Sequence, residues 1–125
     1  MEKVEGIGGV FIRARDPDAL GAWYERHLGI AAEHGHWSQA GGTTIFAAFP
    51  ETSDYFDADR RWMINFRVPD LDRMIAQLEG AGIAVTTDPD WNSDVGRFAR
   101  IHDPEGNPVE LWQPSQLVRD HEVKG

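Results

Sequence analysis

Glu110 is the residue in this chain best placed to do chemistry. It stands between Val109 and Leu111 in the stretch Arg97–Trp112, RFARIHDPEGNPVELW. If Val109 and Leu111 face a core, the two-residue period of a strand turns Glu110 to the opposite face, together with Pro108 and Trp112. A solvated sheet face and a concave face lining a pocket both fit that geometry. In the second case Glu110 is the candidate catalytic residue, a general base if burial raises its pKa. No nucleophile–base pair accompanies it by sequence. The absence of cysteine removes disulfides, thiolate metal sites and cysteine nucleophiles together.

The other groups with chemical potential are histidines and arginines. His34 and His36 share a strand face if their segment is extended, so a His34, His36 and Glu110 cluster is conceivable, with His102 just before the turn as a further ligand. Surface histidines are the simpler account, and His27 and His121 fall on a helix and in the tail. Arg97 and Arg100 lie on opposite strand faces. One could hold an anionic ligand group, or pair at the surface with an acid such as Glu105 or Asp103.

These side chains need elements to hold them. The stretch around Glu110 reads as a hairpin: apolar residues alternate on either side of Asp103–Pro108, where Pro104 presets φ and Gly106 and Asn107 tolerate positive φ. Near the other end, IGGVFIRAR from Gly6 alternates as a strand and stops at Asp16. Asp16 is a helix N-cap, Pro17 fits the first helical position and Asp18 complements the helix dipole. Leu20, Trp23, Tyr24, His27 and Leu28 form one apolar stripe, and Gly29 ends the helix. Two or three short strands are expected between Ile30 and Phe49, broken at Gly41-Gly42.

The segment WMINFRVPDLDRMIAQLEGAGIAV then repeats the opening. Trp62–Val68 alternates as a strand, Asp70 caps a helix as Asp16 does, Leu71, Met74, Ile75 and Leu78 face inward, and Gly82 ends the helix before a strand at Ile83. Caps, breakers and spacing match between the halves, which gives two tandem βαβββ modules in one domain. Module 1 covers about 6–50, an aperiodic connector 51–61, module 2 about 62–114, and a charged, frayed tail 115–125. Thr86–Gly96 is a polar loop with Trp91 in its middle, a lid or a plain connection.

Composition limits the partners. A chain of 125 residues is most simply one domain with one core. Its 12 Lys and Arg against 21 acids, a net charge of −9, argue against nucleic acid as a partner. There is no apolar run of membrane-spanning length and no signal-peptide pattern, so no membrane partner and a cytoplasmic location are expected.

In this order and spacing, RARDPDALGAWYERHLGI, NFRVPDLDRMIAQLEGAGI and DPEGNPVELWQP resemble the vicinal oxygen chelate superfamily, which includes glyoxalase I, extradiol dioxygenases, fosfomycin resistance enzymes and bleomycin resistance proteins. The resemblance covers about residues 6–114. It implies an α+β fold in which the tandem modules form an incomplete barrel around a cavity, and a homodimer.

Metal-dependent members carry a His on the opening strand of each module and a Glu on the last strand. Carried onto this chain, the family's spacing lands on Gly9, Met63 and Glu110, so only the Glu is kept. Glycine offers no ligand and a thioether is a poor partner for Mg²⁺, Mn²⁺, Fe²⁺ or Zn²⁺. No metal ligands and no cofactor are therefore expected, with a divalent metal as the alternative.

On the same register, alternation puts Phe11, Arg13, Met63, Asn65, Arg67, Glu110 and Trp112 on the cavity side. Trp91 joins them from the loop as a candidate ligand-binding residue. The expected function is small-molecule binding of the glyoxalase/bleomycin-resistance type. The alternative is a glyoxalase- or dioxygenase-like enzyme, metal-dependent or using Glu110 as a base.

Overall fold

A computed structural model describes residues 1–30 and 35–124 of the chain. It is an α+β fold: helix α1 (Pro17–Leu28), strand β1 (Ile64–Arg67), helix α2 (Leu71–Gly80), a single 3-10 turn at Pro89–Trp91, strands β2 (Gly96–His102) and β3 (Pro108–Pro114), and helix α3 (Gln116–Lys124). The three strands form one sheet in the order β1-β3-β2, with β1 parallel and β2 antiparallel to the central β3.

Both expected helix starts are present. The Asp16 carboxylate accepts from Ala19 N at 3.1 Å and that of Asp70 from Arg73 N at 3.0 Å, each satisfying a backbone donor that the first helical turn leaves open. Gly29 ends α1 in the left-handed conformation at φ 72°, as a C-terminal glycine does. Leu20 and Tyr24 of α1 and Leu71 and Leu78 of α2 join Ala99, Ile101, Val109 and Leu111 of the sheet in one buried cluster. Val109 and Leu111 are fully buried there, so Glu110 does face the other way.

The hairpin turn is tied down by Asp103, which is buried rather than at the surface. One of its oxygens accepts from Glu105 N at 2.9 Å and Asn107 N at 3.0 Å, and the other from Asn107 Nδ2 at 2.8 Å and the Tyr24 hydroxyl at 2.7 Å. The turn is thus locked both to itself and to α1. Burial first, and then the Asp103 carboxylate, push the Tyr24 phenol well above its ordinary range.

The first half differs from its sequence expectation. Residues 6–14 form no strand, and among the described residues no strand forms over 35–49. Ile7, Val10, Phe11, Ile45 and Phe46 are exposed. An extended segment persists only with a ladder partner and a buried face, and three glycines among Gly6–Gly9 further weaken this one. The strand expected from Ile83 is reduced to one bridge, in which Thr86 and Arg100 exchange backbone hydrogen bonds of 2.9 and 2.8 Å.

The tail, expected to fray, is helical. Gln116 Nε2 bonds Asp120 across one turn at 2.8 Å, and Glu122 accepts from Thr43 N at 2.9 Å. The second contact docks α3 onto the first half of the chain. Among the described residues no helix is long and apolar enough to cross a membrane.

Candidate functional site

The sheet register places three polar side chains in one row on the face away from the core. Asn65 of β1 and Arg100 of β2 are the two neighbours of Glu110 on β3. Because β3 is central, Glu110 has a partner on each side. Asn65 Nδ2 donates to Glu110 Oε1 at 2.8 Å, and Arg100 Nη2 lies 3.7 Å from Glu110 Oε2. Next to that row, Arg67, Trp112 and Phe98 are aligned in the same way.

This face is covered over Glu110 and Arg100, which are buried, and open at Asn65, which is exposed. The connector crosses it: the Tyr55 hydroxyl donates to Glu110 Oε2, His102 Nε2 lies 3.0 Å from Asp57 Oδ2, and Arg60 Nη2 donates to the Glu105 carbonyl at 3.3 Å. From the other side the 3-10 turn brings in Trp91. The Arg100 guanidinium lies 5.1 Å from the ring centres of both Tyr55 and Trp91, within the range of cation–π attraction. Phe49 closes the aromatic group at 5.3 Å from Tyr55.

Electrostatically the site is a balanced pair in a sheltered place. Glu110 and Arg100 side chains are each 8% exposed. Both Glu110 oxygens accept hydrogen bonds, whereas Arg100 Nε and Nη2 are buried and have no acceptor among the described residues. Burial first, and the Glu110 bond second, raise the Tyr55 phenol above its ordinary range, so it stays a donor. The arrangement offers donors and aromatic faces to a ligand, with one carboxylate to receive a hydroxyl or amine.

The candidates read from sequence divide into two groups. Asn65, Trp91 and Glu110 come together here. Phe11 is exposed on the unladdered first segment, and Arg13 lines a separate surface cavity of about 450 Å³ with Arg15, Arg60, Glu105 and Asn107. Met63 lies half-buried just before β1, and Arg67 turns away to the Ala40 carbonyl at 2.8 Å. Trp112 shares the face of Glu110 but is sealed, stacked on Phe98 with its Nε1 bonded to the Val95 carbonyl at 3.0 Å. Its indole closes the sheet end rather than lining open space.

The pairings expected of the arginines also change. Arg97 bonds Asp72 at 2.8 Å on the surface, and Arg100 turns to Glu110. Glu105 instead accepts from the backbone N of Arg15 and Asp16, each at 3.1 Å, which holds its carboxyl below the usual range. Tyr55 is absent from the sequence reading, because nothing in an aperiodic connector says which residue folds inward. Arg100 had a readable signal: a turn closed by Asp103 and Asn107 sets Arg100 opposite Glu110.

A divalent cation is a poor fit to this donor set. Glu110 already has the Arg100 guanidinium 3.7 Å away, and Asn65 presents an amide nitrogen to it. Among the described residues no three His, Asp or Glu side chains gather in metal-binding geometry. His36 is exposed, His102 is engaged by Asp57, and His34 lies outside the described residues.

Comparison with known proteins adds a family. A model of the glyoxalase-like domain matches residues 9–112. Among solved structures the chain is similar to TnmS3, an antibiotic binding protein from Streptomyces sp. CB03234, at 21% identity and a TM-score of 0.60, over 92% of this chain and 100% of that one. It is also similar to a glyoxylase/bleomycin resistance protein/dioxygenase domain from Frankia sp. EAN1pec, at 18% identity and a TM-score of 0.56, over 90% and 100%. Comparison with curated proteins returns no match.

Proposed function

The chain belongs to the glyoxalase-like domain family, within the vicinal oxygen chelate superfamily, and on that premise we propose that it is a metal-independent small-molecule-binding protein whose ligand lies against the Asn65, Glu110 and Arg100 row. The observation that carries this reading is the sheltered Arg100–Glu110 pair between two aromatic rings. Sites that recognise small molecules combine apolar walls with a few fixed polar groups, and here the polar groups are fixed on three neighbouring strands. The antibiotic-binding TnmS3 shares the fold and supports the same class of function.

The first half is a second βαβββ module, which completes an incomplete barrel when its strands are paired, and two chains form a homodimer that covers the exposed Phe11 and Phe46. A chain with no cysteine suits the reducing cytoplasm. Use of Glu110 as a catalytic base has weaker support, since both its oxygens already accept hydrogen bonds.

Trp91 provides the test. Titration with a panel of aromatic and cationic metabolites should quench tryptophan fluorescence for at least one compound, and Trp91→Phe should lose most of that signal. Stoichiometric, tight binding of Fe²⁺, Mn²⁺ or Ni²⁺ that Glu110→Ala abolishes would replace this reading with a metal-dependent enzyme.

A further inference from the structure

Tyr55 is the only side chain of the connector that reaches the Glu110 carboxylate among the described residues. Its neighbours there are held on a hydrogen-bonded sheet: Asn65 on β1, Arg100 on β2 and Glu110 on β3. Tyr55 itself sits on a segment without helix or strand. The rigid part of the site and the group that fills it therefore belong to different parts of the fold.

What Tyr55 does there is what a ligand would do. Its hydroxyl donates to Glu110, its face meets the Arg100 guanidinium at 5.1 Å, and Trp91 and Phe49 flank its ring at 6.1 and 5.3 Å. We propose that Tyr55 is a tethered stand-in, and that the ligand of this site is a neutral hydroxyaryl carbonyl compound that displaces the Tyr55 ring. This deepens the small-molecule reading given above and rests on it.

The hydroxyl and the ring follow from Tyr55; the carbonyl follows from what Tyr55 leaves unmet. Arg100 Nε and Nη2 are buried without an acceptor among the described residues. They are adjacent donors on one edge of the guanidinium fork, the edge that takes an oxygen acceptor. A buried donor without an acceptor is costly, so a ligand that brings an oxygen gains over tyrosine. Neutrality follows from charge: Arg100 is already balanced by Glu110 at 3.7 Å, and an anionic ligand would face that carboxylate. With Nη2 this close to the carboxylate oxygen, the ligand's hydroxyl and carbonyl must be near neighbours, as at adjacent ring positions.

Salicylamide meets these requirements, and benzamide lacks the hydroxyl. Calorimetric titration of the full chain should show salicylamide binding to Tyr55→Ala at least tenfold more tightly than to the unaltered protein, with benzamide at least tenfold weaker than salicylamide. Tyr55→Phe, which keeps the ring and removes the bond to Glu110, should fall between, and circular dichroism establishes that each variant is folded. Equal affinity in all three proteins, or equal affinity for the two amides, overturns the proposal. If aromatic compounds still quench Trp91 in that event, the binding-protein reading survives it. If no compound binds any of the three proteins, both fall.

Discussion

Arg100 and Glu110 face each other across the β2–β3 ladder with their charged groups 3.7 Å apart and no hydrogen bond between them. The pair is sheltered, so removing one charge strands the other. Glu110→Gln should lower stability by about 3 kcal/mol, read as a lower urea midpoint with an unchanged slope. Combined with Arg100→Met, the loss should be smaller than the sum of the two single losses. Strict additivity in that cycle would mean the two charges are not coupled.

Arg97 is the control for that claim. It lies on the same strand three residues earlier and its bond to Asp72 is shorter, at 2.8 Å, yet the two side chains are 46% and 75% exposed. Solvent and salt screen such a pair. Arg97→Ala should leave the thermal midpoint unchanged within error, while Arg100→Ala lowers it clearly. A comparable drop for both would show that distance rather than burial sets the strength.

Local chemistry and alternation were enough to read α2 and the β2–β3 hairpin from sequence, but not the stretch after Ile83, where the expected strand is reduced to the Thr86–Arg100 bridge. Asp70 and Gly82 bound α2, and Val109 and Leu111 define which way Glu110 points. These are short-range facts, each set within a few residues. A ladder in the first half would need partners distant in the chain, which alternation at Val10, Phe11 and Ile12 does not specify, and among the described residues none forms there. Asn65 was legible because it shares a strand face, whereas Tyr55 reaches the site through an irregular segment whose path depends on three side-chain ties. Trp112 was placed on the correct face, but the seal over it comes from Val95 and Phe98, which alternation alone does not reveal.

Gly96 opens β2 at φ 140°, and a side chain there would run into the Gln113 carbonyl and the Trp112 indole. Both faults act together, strain at positive φ and a clash with backbone that cannot step aside. Gly96→Ala should therefore cost about 2 kcal/mol or more. Near-ultraviolet circular dichroism should report a disturbed Trp112. Gly21→Ala, on α1 with open space around the new methyl, should instead be neutral or stabilising.

Alkaline pH tests the Tyr24–Asp103 lock. A phenol in the unfolded chain ionises near pH 10, while burial and then the Asp103 carboxylate hold Tyr24 neutral to higher pH in the fold. Below about pH 10 both states keep the proton and the full contribution is present; above it the folded chain holds protons that the unfolded chain has lost, so stability falls as pH rises. Tyr55 acts in the same direction. Denaturation midpoints should stay level from neutral pH to about 9.5 and then decline. Tyr24→Phe should cost about 1 kcal/mol at neutral pH, since Asp103 keeps its three bonds within the turn, and it should flatten the alkaline decline. An alkaline limb as steep in Tyr24→Phe as in the unaltered chain would show that the phenol is not what links α1 to the hairpin.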